Sequence, residues 1–308
     1  MLQQTQVATV IDYFNNFTQH FPDINTLANA DTEAVLAQWA GLGYYARARN
    51  LHKSAQLIVS QHQGVFPTHF DEVLALPGVG ESTAGAILSL SFNQPHAILD
   101  GNVKRVLSRY HQVKGHTQQS ATTNELWRLA REHTPGTNNA HYTQAIMDLG
   151  ATVCTRSQPK CERCPMTGHC LSYQQQTQDQ YPQPKPKKIK PNKTTAVLLF
   201  TYQGQVYLEQ RPERGIWGGL YSLPECQDLP QVIDAAISEF DAGARASHTL
   251  PVLKHSFTHY HLHIRPVIIE LSGAKHKLHP PTTKALGIPK PIQTILAQAS
   301  SLFETGKV

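Results

Sequence analysis

Leu76-Pro-Gly-Val-Gly80, followed directly by Glu81-Ser-Thr-Ala-Gly-Ala-Ile87, decides how this 308-residue chain is read. A helix ends at Leu76. Gly78 and Gly80 permit the left-handed backbone and a close approach of a ligand. The next helix then starts with backbone N–H groups that have no partner inside the helix, and those donors suit a phosphate oxygen. A hairpin of this kind between two helices grips a duplex backbone without reading base sequence. An ordinary glycine-rich corner between helices has the same local pattern, so the flanking sequence has to decide between them.

On both sides of the hairpin the sequence reads as helix after helix up to about residue 150. Apolar residues recur at helical spacing in Val7-Ala8-Val10-Ile11-Phe14, in Ala34-Val35-Leu36-Trp39 and in Leu51-Ala55-Leu57-Ile58. Asp31-Thr32-Glu33 and Asp71-Glu72 put negative charge where two helices begin. Further helices are expected at 81–92, 102–110, 120–133 and 138–151. Period-two alternation is absent from this half, so it is all-α.

Two stretches after the hairpin carry chemistry. In Ile98-Leu-Asp-Gly-Asn-Val-Lys-Arg105, Asp100 precedes a helix. It is either a simple N-cap or a carboxylate at a pocket mouth that stabilises a cationic transition state. Lys104 and Arg105 follow on the same helix, within reach of phosphates. Further on, Cys154, Cys161, Cys164 and Cys170 are spaced C-x6-C-x2-C-x5-C within seventeen residues, and polar and basic residues separate them. Four thiolates this close can wrap one metal centre, either a tetrahedral zinc or a [4Fe–4S] cluster. Disulfides would need an oxidising compartment, and the N-terminus has neither the basic start nor the apolar run of a secretion signal. Cys226 lies far from the quartet and reads as a lone small hydrophobe.

Residues 181–193, with four prolines and five lysines, form a linker that is stiff, solvated and able to follow a phosphate backbone. Beyond it the pattern changes. Residues 195–201 and 205–209 read as two strands joined in a hairpin at Tyr202-Gln-Gly204. Ile216-Trp217-Gly-Gly-Leu220 is a glycine-hinged turn. Helices are expected at 229–240 and 289–300, with a strand over 262–271. This is a small α+β domain. No stretch approaches the roughly 18 apolar residues of a membrane span. The net charge of +5 is mild for the length and suits a polyanion without demanding one. A reduced, cytoplasmic protein is expected.

Taken in order, these elements resemble the helix-hairpin-helix, iron–sulfur DNA glycosylases, and within them the adenine DNA glycosylase (MutY) family. The resemblance is carried by Met1-Leu-Gln-Gln-Thr-Gln6, Gly41-Leu-Gly-Tyr-Tyr-Ala46 with Arg47-Ala-Arg-Asn-Leu51, Leu76-Pro-Gly-Val-Gly80 and Leu99-Asp-Gly-Asn102. Met147-Asp-Leu-Gly150, the cysteine quartet and Trp217-Gly-Gly-Leu220 extend it over nearly the whole chain. It implies a mainly α catalytic domain of two helical lobes with an iron–sulfur loop over 1–180, and a small α+β, Nudix-like 8-oxoguanine-recognition domain over 194–308. The four cysteines would hold a [4Fe–4S] cluster. The partner would be double-stranded DNA with adenine opposite 8-oxoguanine or guanine, bound by a monomer.

The resemblance also assigns roles. Asp100 would stabilise the oxocarbenium-like sugar. Leu2, Gln4 and Tyr44 would probe the stack on the 8-oxoguanine side once the adenine is flipped out. Gly78, Val79, Gly80, Ser82, Asn102 and Lys104 would contact DNA. Ser82 stands where the related endonuclease III-like enzymes carry a lysine that attacks the sugar as an amine. Serine here implies a monofunctional glycosylase with water as nucleophile. Phe257-Thr-His259 is similar to the family's Phe-Ser-His lesion-sensing loop, with a methyl added to the hydroxyl residue. Glu225, Asp228, Asp234, Glu239 and Asp241 lack the spacing of a diphosphate-hydrolysing Nudix helix, so this domain should bind and not hydrolyse. His255, His259, His261 and His263 raise a zinc site as a minor alternative to a polar strand face.

One departure stands out. The family's catalytic glutamate lies two residues ahead of the position held here by Met1. A general acid is typically worth about 10²–10⁴-fold in rate. Residues 1–308 taken alone are therefore expected to bind the lesion without efficient excision, as a fragment, a mis-started reading frame or a natural short form would. Exposed apolar surface in the helical part is expected with it. The alternatives are a non-catalytic lesion-binding protein and an endonuclease III-like glycosylase/lyase.

Overall fold

The computed structural model describes residues 1–2, 5–186, 189–283 and 286–304. They form two compact units, one of residues 1–64 with 189–308 and one of residues 65–188.

In the first unit four helices come first: α1 (Val7–His20), α2 (Ile24–Asn29), α3 (Thr32–Trp39) and α4 (Ala46–His62). Asp23 caps α2 by accepting from Thr26 N at 2.7 Å, which anchors its carboxylate and holds its pKa low. Val10, Phe17, Val35, Leu36, Trp39, Ala48 and Ala55 form the core between these helices. Only one side of α1 is buried. Val7, Ile11 and Phe14 flank that side and are 64%, 53% and 55% exposed.

The α+β part of this unit is built on β1 (Asn192–Tyr202), which turns back into β2 (Gln205–Tyr207). Gln203 and Gly204 both have positive φ, the backbone of a two-residue hairpin turn matched to the twist of the strands. The expected hairpin is therefore present. Two short strands, β3 (Glu209–Gln210) and β4 (Tyr221–Ser222), pair with each other, and β5 (Glu225–Cys226) pairs with β1. After α5 (Pro230–Phe240, numbered within this unit) come β6 (Arg245–Thr249), β7 (Leu253–Ser256), β8 (His261–Glu270), β9 (Leu278–His279) and α6 (Lys290–Glu304).

β1 and β8 run parallel over ten register pairs at the centre of a mixed sheet. One sheet face packs Val197, Leu199, Ile264 and Ile268 against Ile292, Ile295 and Leu296 of α6. The other packs Leu198, Phe200, Val267 and Ile269 against Ile233 and Ile237 of α5. Covering both faces explains why β1 reads as a continuous apolar run and not as an alternation.

The second unit is helical: α7 (Phe70–Leu74), α8 (Glu81–Phe92), α9 (Gly101–Tyr110), α10 (Ser120–His133), α11 (Asn139–Asp148) and α12 (Leu171–Gln174). The helix expected over 138–151 ends at Asp148 and continues as a π-helical turn, Leu149–Val153, that delivers Cys154. The first half of the linker is tied to this unit, because Gln183 accepts from Gly115 N and Lys185 donates to Gln118. No helix among the described residues is long and apolar enough to cross a membrane.

Candidate active site

The hairpin between α7 and α8 adopts the backbone its glycines permit. Gly78 has φ +76°, and Val79 N donates to Leu76 O at 3.0 Å. Gly80 is the N-cap of α8, no side chain caps that helix, and a Cβ on Gly80 would meet nothing within 4 Å. The helix start is thus open to a ligand, the condition for seating a phosphate.

Two contacts hold this hairpin against the segment before α9. The Ser82 hydroxyl accepts from Leu99 N at 2.9 Å. A Cβ on Gly85 would lie 2.3 Å from Ala97 O, so glycine is what allows the close approach. The hydroxyl of Ser82, a residue expected at the DNA, links the hairpin helix to the residue beside Asp100.

Asp100 is half-buried at the N-cap of α9, where Oδ1 accepts from Val103 N at 2.8 Å. The capping and charge-stabilising readings are therefore compatible. The cap fixes the carboxylate by one oxygen at a helix end that favours an anion, and the second oxygen remains for a developing cation.

The side chains next to Asp100 turn inward. Asn102 accepts from Arg105 Nη2 at 2.8 Å, and Arg105 also donates to Gly150 O and Cys154 O at 2.6 and 2.7 Å. Arg105 is not directed to phosphates as its position beside Lys104 suggested, since four protein oxygens, that of Gly101 included, take its donors. Lys104 is half-buried one residue earlier on α9. Gly150 lets the π-helical turn approach α9, because a Cβ there would stand 2.6 Å from Asn102 Cβ. Gly150→Ala is expected to lower stability by about 1–3 kcal/mol through overpacking. A thermal melt of the variant checks this.

The four cysteines converge on one cavity, also lined by Val106, Leu149, Val153 and Met166. All are free thiols, which removes the disulfide reading. Arg109, 3% exposed on α9, donates Nη1 to Cys154 Sγ at 3.4 Å and to Thr155 O at 2.7 Å. Its other nitrogens reach Arg156 O, Gln178 O and Tyr181 O. Burial, reinforced by the neighbouring cysteines, raises the Cys164 and Cys170 thiols. Bound metal charge would be needed to hold them as thiolates. No group of three His, Cys, Asp or Glu side chains among the described residues is arranged to hold a metal ion. An all-sulfur donor set around an apolar cavity, with an N–H directed at sulfur, fits a cluster in its chemistry.

The remaining expected residues belong to the first unit. Tyr44 is 52% exposed and has φ +49°, a backbone rarely taken by a tyrosine. Arg47 holds this loop: it donates to Met1 O, Thr5 Oγ1 and Gly43 O, and its guanidinium lies 5.5 Å from the Tyr44 ring centroid. Leu2 is 59% exposed. Gln4 lies outside the described residues.

Thr258 and His259 are exposed at the tip of the β7–β8 turn. Phe257 beneath them is half-buried against Trp217, His255 and Tyr260, with ring centroids 4.5–5.6 Å apart. Three of the Nudix-region carboxylates are engaged: Glu225 with Arg211, Asp228 with Arg265, and Asp241 with Ser272. His259 sits in the turn and not on the strand, so it does not share the strand face of His261 and His263. Arg109, Arg47 and Trp217 were not foreseen as site residues. An arginine in a helix's last turn, or beside an aromatic pair, reads locally as solvated charge.

Residues 1–132 match the HhH-GPD superfamily of base excision DNA repair proteins, and residues 195–298 match the NUDIX domain. A relative named adenine DNA glycosylase from Buchnera aphidicola subsp. Schizaphis graminum is 37% identical over 96% of this chain and 88% of its own length. The chain belongs to the adenine DNA glycosylase family. It is a base excision repair DNA glycosylase, with an N-terminal helical HhH-GPD domain followed by a Nudix-like α+β domain. The Homo sapiens protein of the same name is 42% identical over 58% of this chain and 33% of its own length. Among solved structures, a thermostable thymine-DNA glycosylase superposes with a TM-score of 0.51 at 26% identity, over 56% of this chain and 80% of its own. An endonuclease III–DNA complex gives 0.50 at 22% identity, over 57% and 80%, a likeness of fold.

Proposed function

We propose that this glycosylase hydrolyses the N-glycosidic bond of adenine mispaired with 8-oxoguanine or guanine, by base flipping and with water as nucleophile. The observation that carries the reading is Asp100, held by its helix cap next to the segment that Ser82 ties to the DNA-gripping hairpin. Gly78, Val79 and Gly80 seat a phosphate on the open start of α8. Asp100 stabilises the positive sugar left as adenine departs. Ser82 supplies no amine, so the strand is not cleaved through a covalent sugar adduct.

Residues 1–180 then act as the glycosylase part, 181–193 as the linker and 194–308 as the part that recognises 8-oxoguanine. Leu2, Gln4 and Tyr44 fill the stack left by the flipped base, and Phe257, Thr258 and His259 sense the lesion. Asn102 acts through Arg105, positioning the start of α9 against the cysteine loop. Cys154, Cys161, Cys164 and Cys170 hold a [4Fe–4S] cluster, which braces that loop when bound. The protein works as a monomer in the cytoplasm.

Binding and single-turnover adenine release on duplexes with adenine opposite 8-oxoguanine, guanine or thymine test this reading. Preference for 8-oxoguanine is expected, and Thr258→Ala should reduce it by about 5–10-fold, the worth of one hydrogen bond, without weakening binding to undamaged duplex. Equal affinity for all three duplexes would overturn the lesion-recognition part. Borohydride trapping of a protein–DNA adduct at an enzyme-like rate would favour the lyase reading.

A further inference from the structure

The β7–β8 hairpin carries a second polar feature, below the lesion loop. Register pairing sets Lys254 opposite His263 and Ser256 opposite His261, while β1 runs alongside with Asn192 opposite His261. Alternation along β8 turns Leu262 and Ile264 into the core, which leaves His261 and His263 on the other face, half-buried. Lys190, just ahead of β1, is exposed and reaches over the hairpin to donate to Phe257 O at 2.8 Å. His261 Nδ1 lies 2.8 Å from Ser256 Oγ, and His263 Nε2 lies 3.3 Å from Asn192 Oδ1. One carboxylate near this face, Asp228, is taken by Arg265 at 2.9 Å. Partial desolvation, then Lys254, Lys190 and His263, push the His261 pKa below the ordinary histidine value. Two lysines thus put positive charge beside two imidazoles at the foot of the loop.

We propose that Lys190, Lys254, His261 and His263 form a phosphodiester-binding face, which grips the backbone of the strand whose damaged base the Thr258–His259 tip reads. This rests on the proposed DNA-lesion reading of that loop. The loop's two ends are the ends of β7 and β8, so a strand held at the tip runs past this face. Charge complementarity selects a polyanion. His261 is surrounded by Lys254 and Ser256 from β7, by Lys190 and Asn192 from the β1 side, and by His263 on its own strand. Desolvation first, and then the neighbouring lysines, disfavour its protonated form; a phosphate would favour that form, so binding takes up a proton. Affinity therefore strengthens as pH falls toward the histidine range.

The test uses the full chain with an undamaged 25-base-pair duplex and with the 8-oxoguanine:adenine duplex, measuring affinity against salt and against pH. Lys190→Gln with Lys254→Gln is expected to weaken both duplexes equally, by about 10-fold, and to reduce the slope of log affinity against log salt by about 1–2. His261→Asn is expected to flatten the pH dependence between pH 6 and 8. An unchanged salt slope overturns the proposal. A loss confined to the lesion duplex also overturns it, because that assigns these residues to base reading. Thermal melts separate either result from misfolding, and the Gly80→Asp variant marks binding through the hairpin. If the parent chain binds neither duplex, the underlying DNA-lesion reading has failed, whereas strong parent binding that the lysine variants leave intact rejects this face alone.

Discussion

Arg109→Met unfolds the cysteine loop. Arg109 is almost fully buried, and its guanidinium serves the carbonyls of Thr155, Arg156, Gln178 and Tyr181 as well as Cys154 Sγ. Methionine matches its bulk but donates nothing, so several buried acceptors lose their partner at once. Each hydrogen bond to a charged group is worth about 1.5–3 kcal/mol, and the losses are not additive. A total of at least about 3 kcal/mol is expected, the range of the largest single-site effects. Iron content per purified chain should fall with it, since Arg109 ties both the loop that holds Cys154 and the segment after Cys170. Arg109→Lys keeps the charge but offers three donors from a single point in place of a planar fork, so it should recover little. Thermal unfolding and iron analysis check both variants, and a methionine variant with parental stability would refute the anchoring role.

Asp100→Asn separates the two duties of that residue. Asparagine caps a helix as well as aspartate does, so stability should change by no more than about 0.5 kcal/mol. The negative charge beneath the sugar is lost, and in any background that excises adenine the single-turnover rate should fall by about 10²–10³-fold. Asp100→Ala removes cap and charge together, and should add a stability loss of about 1 kcal/mol. A large loss of stability in the asparagine variant would mean that the carboxylate serves structure first.

Much of this was legible because local chemistry and global fold agree at the decisive places. Leu76-Pro-Gly-Val-Gly80 demanded a glycine hairpin, and Gly78 has the positive φ that such a turn requires. Gln203-Gly204 made the β-hairpin, and the apolar run of β1 pointed to a strand. The strands β6 and β7 were not foreseen. Residues 245–249 are short, polar and wholly exposed, and their place in the sheet comes from pairing with β8, which no local pattern announces. The inward arginines were hidden for a related reason. Arg105 and Arg109 look like a basic helix face, and only the fold of the cysteine loop around them, nearly fifty residues later, turns them into its internal braces.

Asp100 is proposed to stabilise a cationic sugar opposite 8-oxoguanine. A duplex carrying a cationic pyrrolidine in place of the adenosine sugar tests this without requiring any proton donor, because such an analogue already bears the charge of the transition state. Its affinity would be compared with that of a neutral tetrahydrofuran site, for the parent chain and for Asp100→Asn. The parent is expected to prefer the cationic duplex by about 10-fold or more, roughly 1.4 kcal/mol, and the asparagine variant to lose this preference while binding the neutral duplex unchanged. Equal preference in both proteins would contradict it and leave Asp100 as a helix cap.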